Sequence, residues 1–183
     1  MKLRNVRFGP VQGASGVQGF FGEGYPYHRA YKTLFPRGFD FTGMTFVAKT
    51  TTLHPRAGNM ALGGGDRITP RSLVPDCIVA RPFKGAALNA VGLSGPGARF
   101  LFETGRWQAR KESFFISFMS VEKEVSARQE ELREFVRMFR LRLPEFATPV
   151  GLQVNLSCPN VGLHLDKVVS EAHAALDIAS VLG

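Results

Sequence analysis

Four times along this chain an apolar run of strand length gives way to a stretch with helical period. The runs are "PVQGAS" (10–15), the weakest, then "MTFVAKT" (44–50), "SFFISFMS" (113–120) and "VGLQVNLS" (150–157). They are too apolar for a sheet with one wet face, in which polar and apolar residues alternate. Strands buried on both faces and separated by helices build a parallel sheet with crossover helices, so the fold class read here is α/β.

Two helices are plain. From Ser126 to Leu143, the apolar positions Leu132, Phe135, Val136, Phe139 and Leu143 recur at spacings of three and four. Ser126 and Gln129 have the spacing of a capping box, and Pro144 stops the helix. The second runs from about Leu165 to Leu182, with Leu165, Val168, Val169, Ala172, Leu176 and Ala179 on one stripe. Asp166 near its start suits the positive end of the helix dipole. Shorter helices are expected near Tyr27 to Leu34 and over "GARFLFETG" (97–105). The segment from Thr51 to Pro96 breaks the rhythm and is rich in Gly and Pro. Connections this long are uncommon unless functional. Within it, "CIVAR" (77–81) and "GAALN" (85–89) fit a short hairpin. No repeat and no linker marks a boundary, so residues 1–183 are read as a single domain.

Composition narrows the function classes. Hydrophobic residues make up 44% of 183, a value of folded chains and not of disordered ones. No apolar run approaches the roughly 20 residues of a membrane helix. No apolar stretch follows "MKLRNVRFGP", so no secretion signal is read and a cytoplasmic location is expected. In that setting Cys77 and Cys158 are expected as reduced thiols. The net charge of +8 is spread over scattered arginines, with no dense basic run and no interleaved aromatics. That pattern suits a small anionic ligand better than a nucleic acid.

In parallel α/β proteins the ligand sits at the carboxyl ends of the strands. The first strand ends in Ala14, Ser15 and Gly16, small residues that let a ligand approach the backbone. The second ends in Lys49 and Thr50, the third near Ser117 and Ser120, and the fourth in Asn155, Ser157, Cys158 and Asn160. Taken singly, each has a plainer reading. A lone cysteine is a buried inert thiol, a lone strand-end lysine reaches solvent, and asparagines satisfy turns. Their arrival at the same end of successive units favours a site.

Three motifs, "AKTTTLHPRAGN", "LNAVGLSGPG" and "NLSCPN", occur in an order that resembles the dihydroorotate dehydrogenase family, over the chain from about Val11 onward. Related dihydropyrimidine dehydrogenases carry His where this chain has Asn160, which tilts the resemblance toward dihydroorotate. The resemblance implies a TIM-type (βα)8 barrel holding FMN, with about the first four βα units present here. It implies Cys158 as the base that takes a proton from the substrate ring, as in the soluble, cysteine-base class. Lys49, Asn89, Gly92, Leu93, Asn155 and Asn160 would hold the pyrimidine. Ala14, Ser15, Gly16, Lys49, Thr50, Ser117 and Asn155 would line the flavin. No metal is implied.

The chemistry is consistent with those assignments. Oxidising dihydroorotate to orotate removes a hydride, which FMN takes because no side chain can, and a proton, which needs a base. An ordinary thiol, with pKa near 8.5, is mostly protonated at neutral pH, so its thiolate must be favoured by neighbours or by alkaline pH. Asparagine amides match a ring edge that alternates N–H and C=O. A lysine can balance charge developing nearby and attract an anionic substrate. The expected setting is pyrimidine (UMP) biosynthesis. The expected partners are the pyrimidine substrate, a second copy of the chain and an electron-transfer subunit, with neither nucleic acid nor membrane. Two departures stand out: Gly95 replaces the Asn of the family's "GLxN", and Ser117 stands where an Asn often faces the flavin. A full barrel typically takes ~250 residues, so the chain reads as the N-terminal half of a longer enzyme. The alternatives are a flavoenzyme acting on another pyrimidine, or a non-catalytic remnant of the fold.

Overall fold

The computed structural model describes residues 2–3, 5–37, 40–63, 65–81, 84, 86–156 and 165–182, without the side chains of 80, 87 and 165–170. Two very short strands, β1 (Lys2–Leu3) and β2 (Val6–Arg7), form an antiparallel pair at the start. There follow β3 (Val11–Gln12), α1 (Pro26–Leu34) and β4 (Met44–Thr45). Next come the hairpin strands β5 (Ile78–Arg81) and β6 (Ala86–Asn89), then α2 (Ala98–Glu103) and β7 (Phe114–Phe118). The last elements are α3 (Val125–Arg142), β8 (Val150–Val154) and α4 (Leu165–Ala179).

Apart from the antiparallel pairs β1–β2 and β5–β6, the strands pair in parallel and in chain order. β3 pairs with β4, Val11 opposite Met44, and β7 pairs with β8, from Phe114 opposite Val150 to Phe118 opposite Val154. Parallel bridges Val47–Phe115 and Thr51–Phe118 connect the extension of β4 to β7. Along that extension the Ala48 N–H donates to Phe115 O and the Thr51 N–H to Ser117 O, both at 2.9 Å. β5 and β6 are antiparallel, as the hairpin expectation had it.

β7 shows why these strands lack one-sided alternation. All five of its residues are buried. On one face Phe114, Ile116 and Phe118 join the main core, where Phe118 stacks on Phe135 of α3 with ring centroids 4.2 Å apart. On the other face Phe115 stacks on Phe8 at 4.6 Å, and Ser117 reaches Thr50. Successive side chains point to opposite faces, so the aromatic layer under α3 and the polar layer at the strand ends come from the same five residues. Leu132, Phe135, Val136 and Phe139 of α3 are buried as their spacing predicts.

Two local expectations are corrected. α3 begins at Val125, and Glu124 at the cap position has no side-chain capping bond, so the Ser126–Gln129 box does not set its start. Instead Arg128 folds back and donates from Nη1 to the carbonyls of Glu122 and Lys123, tying down the entry loop. In α4 the buried position is Ala175, with Ile178 and Leu182 against the core, while Leu176 is 67% exposed. Of the expected stripe, Ala172 and Ala179 are half-buried and Leu176 faces away, while the side chains of Leu165, Val168 and Val169 lie outside the described residues.

Arg128 also pairs with Glu171 of α4, with Nε and Nη2 donating to the two carboxylate oxygens at 2.8 and 2.5 Å. The carboxylate holds the guanidinium above its usual arginine range, chiefly through that hydrogen bond. Both side chains are largely withdrawn from solvent, at 9% and 15% exposure. Arg128→Ala is expected to lose about 3–5 kcal/mol, because Glu171 is left charged and unpaired. Arg128→Met with Glu171→Leu is expected to recover most of that loss. Urea midpoints of the two variants at unchanged slope are the check.

Candidate functional site

The strand ends converge on one cleft of ≈ 520 Å³. Its lining includes Ala14, Ser15 and Gly16 after β3, Lys49 and Thr50 after β4, and Asn155 after β8. The hairpin and its exit add Asn89, Gly92 and Leu93. Tyr25, Tyr27, Met60 and Ile78 supply apolar surface.

Gly16 shows why a small residue is needed at the first strand end. Its φ is +87°, a left-handed conformation that side chains rarely adopt, although a Cβ there would only touch Lys49 Cγ at 3.4 Å. The Tyr25 hydroxyl donates to Gly16 O at 2.8 Å, which fixes the turn. Burial, followed by the neighbouring Tyr27, keeps that phenol protonated well above its ordinary range.

Lys49 does not reach solvent, contrary to the plain reading of a strand-end lysine. It is 8% exposed, its ammonium donates to the Ser94 carbonyl, and Nζ lies 4.6 Å from the centre of the Phe20 ring. Burial lowers its pKa to about 8, while the charge of Glu23 opposes the fall. The amine is thus a dry cation at neutral pH, close to its own titration.

The lining around Gly92 and Leu93 is built by the long insertion. Gly92 and Leu93 both have positive φ, +67° and +60°. For a leucine this is a strained conformation. It is braced from the "LHPRAGN" segment: Arg56 Nε donates to Gly92 O at 2.8 Å, and the Arg56 backbone pairs with Gly95. Asn59 Nδ2 donates to Ala90 O at 2.7 Å. Ser94, wholly buried, gives its carbonyl to Lys49 and accepts the Met60 N–H on its hydroxyl at 3.0 Å.

Of the residues singled out from the sequence, Ala14, Ser15, Gly16, Lys49, Thr50, Asn89, Gly92, Leu93 and Asn155 share this cleft. Ser117 is not among its lining residues: it is fully buried behind Thr50, with the two hydroxyls 2.8 Å apart. Cys158 and Asn160, with Ser157, lie outside the described residues. Phe20, Tyr25 and Ser94 were not identified from the sequence. Their only signal was position, within "GFFGEGY" and "GLSGPG", beside turns that other residues had already marked.

Among the described residues no group of three or more His, Cys, Asp and Glu is arranged to hold a metal ion, and no helix is long and apolar enough to cross a membrane. Cys77 is a free thiol.

No family model matches the chain. Over 153 residues, 83% of its length, the chain is 33% identical to a protein of Desulforudis audaxviator (strain MP104C) described as "Dihydroorotate dehydrogenase B (NAD(+)), catalytic subunit". The match covers 38% of that relative.

Proposed function

We propose that this chain, a relative of the dihydroorotate dehydrogenases, forms the first four units of an FMN-binding βα barrel and carries much of the site that oxidises dihydroorotate to orotate. One observation carries the reading. Residues 14–16, 49–50, 89, 92–93 and 155 were singled out as strand ends and motif positions, and they line a single cleft. The parallel, chain-ordered pairing of β3, β4, β7 and β8 supports the barrel.

The cleft suits FMN. Its volume lies within the roughly 300–1,000 Å³ range of cofactor sites, and its walls are mainly apolar with a few placed polar groups. Gly16 lies on the cleft wall without a side chain, and Lys49 supplies a positive charge to the same cleft. FMN, when bound, accepts the hydride that dihydroorotate gives up.

The remaining roles fall to the protein. Lys49 offers its ammonium from a dry position held by Ser94 and Phe20, where a charge acts more strongly than in water. Ala14, Ser15, Gly16 and Thr50, with Asn155, form the flavin side. Asn89, Gly92, Leu93, Asn155 and Asn160 hold the pyrimidine edge. Cys158, just beyond β8, takes the ring proton as a general base. The place of such a reaction is UMP biosynthesis in the cytoplasm. The relative's description as a catalytic subunit suits a partner subunit, which we propose here as the electron-transfer partner, with a second copy of the chain proposed beside it.

The test is direct. The intact protein is expected to be isolated yellow, with FMN bound, and to lose its visible absorbance when dihydroorotate is added without oxygen. A colourless protein that takes up no FMN would sink the proposal. Turnover of dihydrouracil or uracil, with none of dihydroorotate, would move the assignment to another pyrimidine.

A further inference from the structure

Four polar side chains from four strand ends form one hydrogen-bonded chain, and donor counting fixes its direction. Ser15 Oγ is 2.9 Å from Ala48 O, a carbonyl that can only accept, so the single Ser15 proton goes there. Ser15 Oγ is also 2.8 Å from Thr50 Oγ1, so in that contact Thr50 is the donor. The single Thr50 proton is then committed. Ser117 Oγ, 2.8 Å from Thr50 Oγ1, must donate to it. Asn155 Nδ2 donates to the same oxygen at 3.3 Å. Thr50 Oγ1 thus accepts from Ser117 and Asn155 and donates to Ser15, which uses its full capacity.

We infer that Ser117 is a positioning residue and not a flavin contact: by donating to Thr50 it fixes the hydroxyl that orients Ser15 and the Asn155 amide at the cleft. Ser117 is wholly buried and absent from the cleft wall, whereas Ser15, Thr50 and Asn155 all line it. An Asn at position 117 would be longer by an amide group. The serine stops short and spends its proton on Thr50. The orientation of Asn155 is thereby set from beneath, through Thr50, by a residue on the strand between theirs. A further consequence is that Thr50 has no proton left for a ligand, so at this strand end a ligand acceptor must find its donors elsewhere.

The inference rests on the flavin reading of the cleft, and the experiment separates the two. In the intact protein, Ser117→Ala and Thr50→Val are both near-isosteric, and they are compared singly and together. The first readout needs no cofactor: the side-chain amide signals of Asn155 in the ¹⁵N-labelled, FMN-free protein. The second is FMN affinity. Ser117→Ala is expected to move the Asn155 amide signals and weaken FMN binding about tenfold, the worth of one hydrogen bond. In the Thr50→Val background Ser117→Ala is expected to add nothing, because its path is already cut. Wild-type Asn155 signals and wild-type FMN affinity in Ser117→Ala would overturn the inference, and so would strictly additive effects in the double variant. If the parent takes up no FMN but the Asn155 signals show the non-additivity, the positioning role stands and the flavin reading falls.

Discussion

Replacing Cys158 by alanine is expected to slow dihydroorotate oxidation by roughly 10²–10⁴-fold, the usual cost of losing a general base. FMN content is expected to remain at the parent level, because the proposed flavin side is built by Ala14, Ser15, Gly16 and Thr50. The measurement is a single anaerobic turnover, in which the yellow absorbance fades as dihydroorotate is oxidised. This isolates proton and hydride removal from any later electron transfer. A variant that fades at the parent rate would remove Cys158 from the mechanism. One that loses FMN as well would make its role structural.

The second large effect is expected at Lys49, and it has opposite signs for function and stability. Lys49→Met is expected to lower turnover by ~10²-fold or more, because a preorganised charge in a dry site is removed. Yet the same change is expected to leave the folded state no weaker at pH 7. The folded pKa of Lys49 is about 8, against 10.5 for an ordinary lysine, because burial penalises the charged form. Between these values the unfolded chain holds a proton that the folded chain has released, so stability rises with pH across that window. Below pH 8 both states are protonated, and the full penalty, roughly 3 kcal/mol, weighs against folding. Methionine removes it, at the cost of the bond to Ser94 O, about 1–3 kcal/mol if that carbonyl is left unpaired. The parent should therefore gain on the variant as pH rises from 8 to 10.5. Paired urea midpoints at pH 7 and pH 10 read this difference. A gap that is flat with pH would contradict the dry, easily titrated lysine.

What could be read from the sequence follows physical range. The strand "SFFISFMS" was legible because burial on both faces leaves its mark on consecutive residues, and "VGLQVNLS" because Val150, Leu152, Val154 and Leu156 alternate toward the core. The hairpin was legible because both arms and their turn lie within a dozen positions. The convergence of Lys49, Thr50 and Asn155 was legible only through a rule about strand ends, which is topological and needs no contact to be seen. Ser94 was not legible. It is 45 positions from Lys49, and nothing in "GLSGPG" says that its carbonyl turns toward an ammonium. The turn that aims it depends on Leu93 accepting a positive φ, a conformation no leucine signals in advance. Ser117 was placed at the right strand end but one layer too near the cleft, because strand alternation gives a face and not a depth. The start of α3 was misread for a related reason. Arg128 settles it by reaching backwards to two carbonyls, and no local pattern competes with that bond.

The chain of hydroxyls under the cleft also carries a timetable. Its links join residues 35, 67 and 105 positions apart, all meeting at Thr50. During synthesis the Ser15–Thr50 contact has both partners first, Ser117 becomes available next, and Asn155 arrives last. A domain folds as a unit, and each longer closure adds only slightly to the entropy already lost. The floor of the cleft therefore cannot be complete until Asn155 has left the ribosome. Asn155, the closest of the four to Cys158 in sequence, is the last piece to become available.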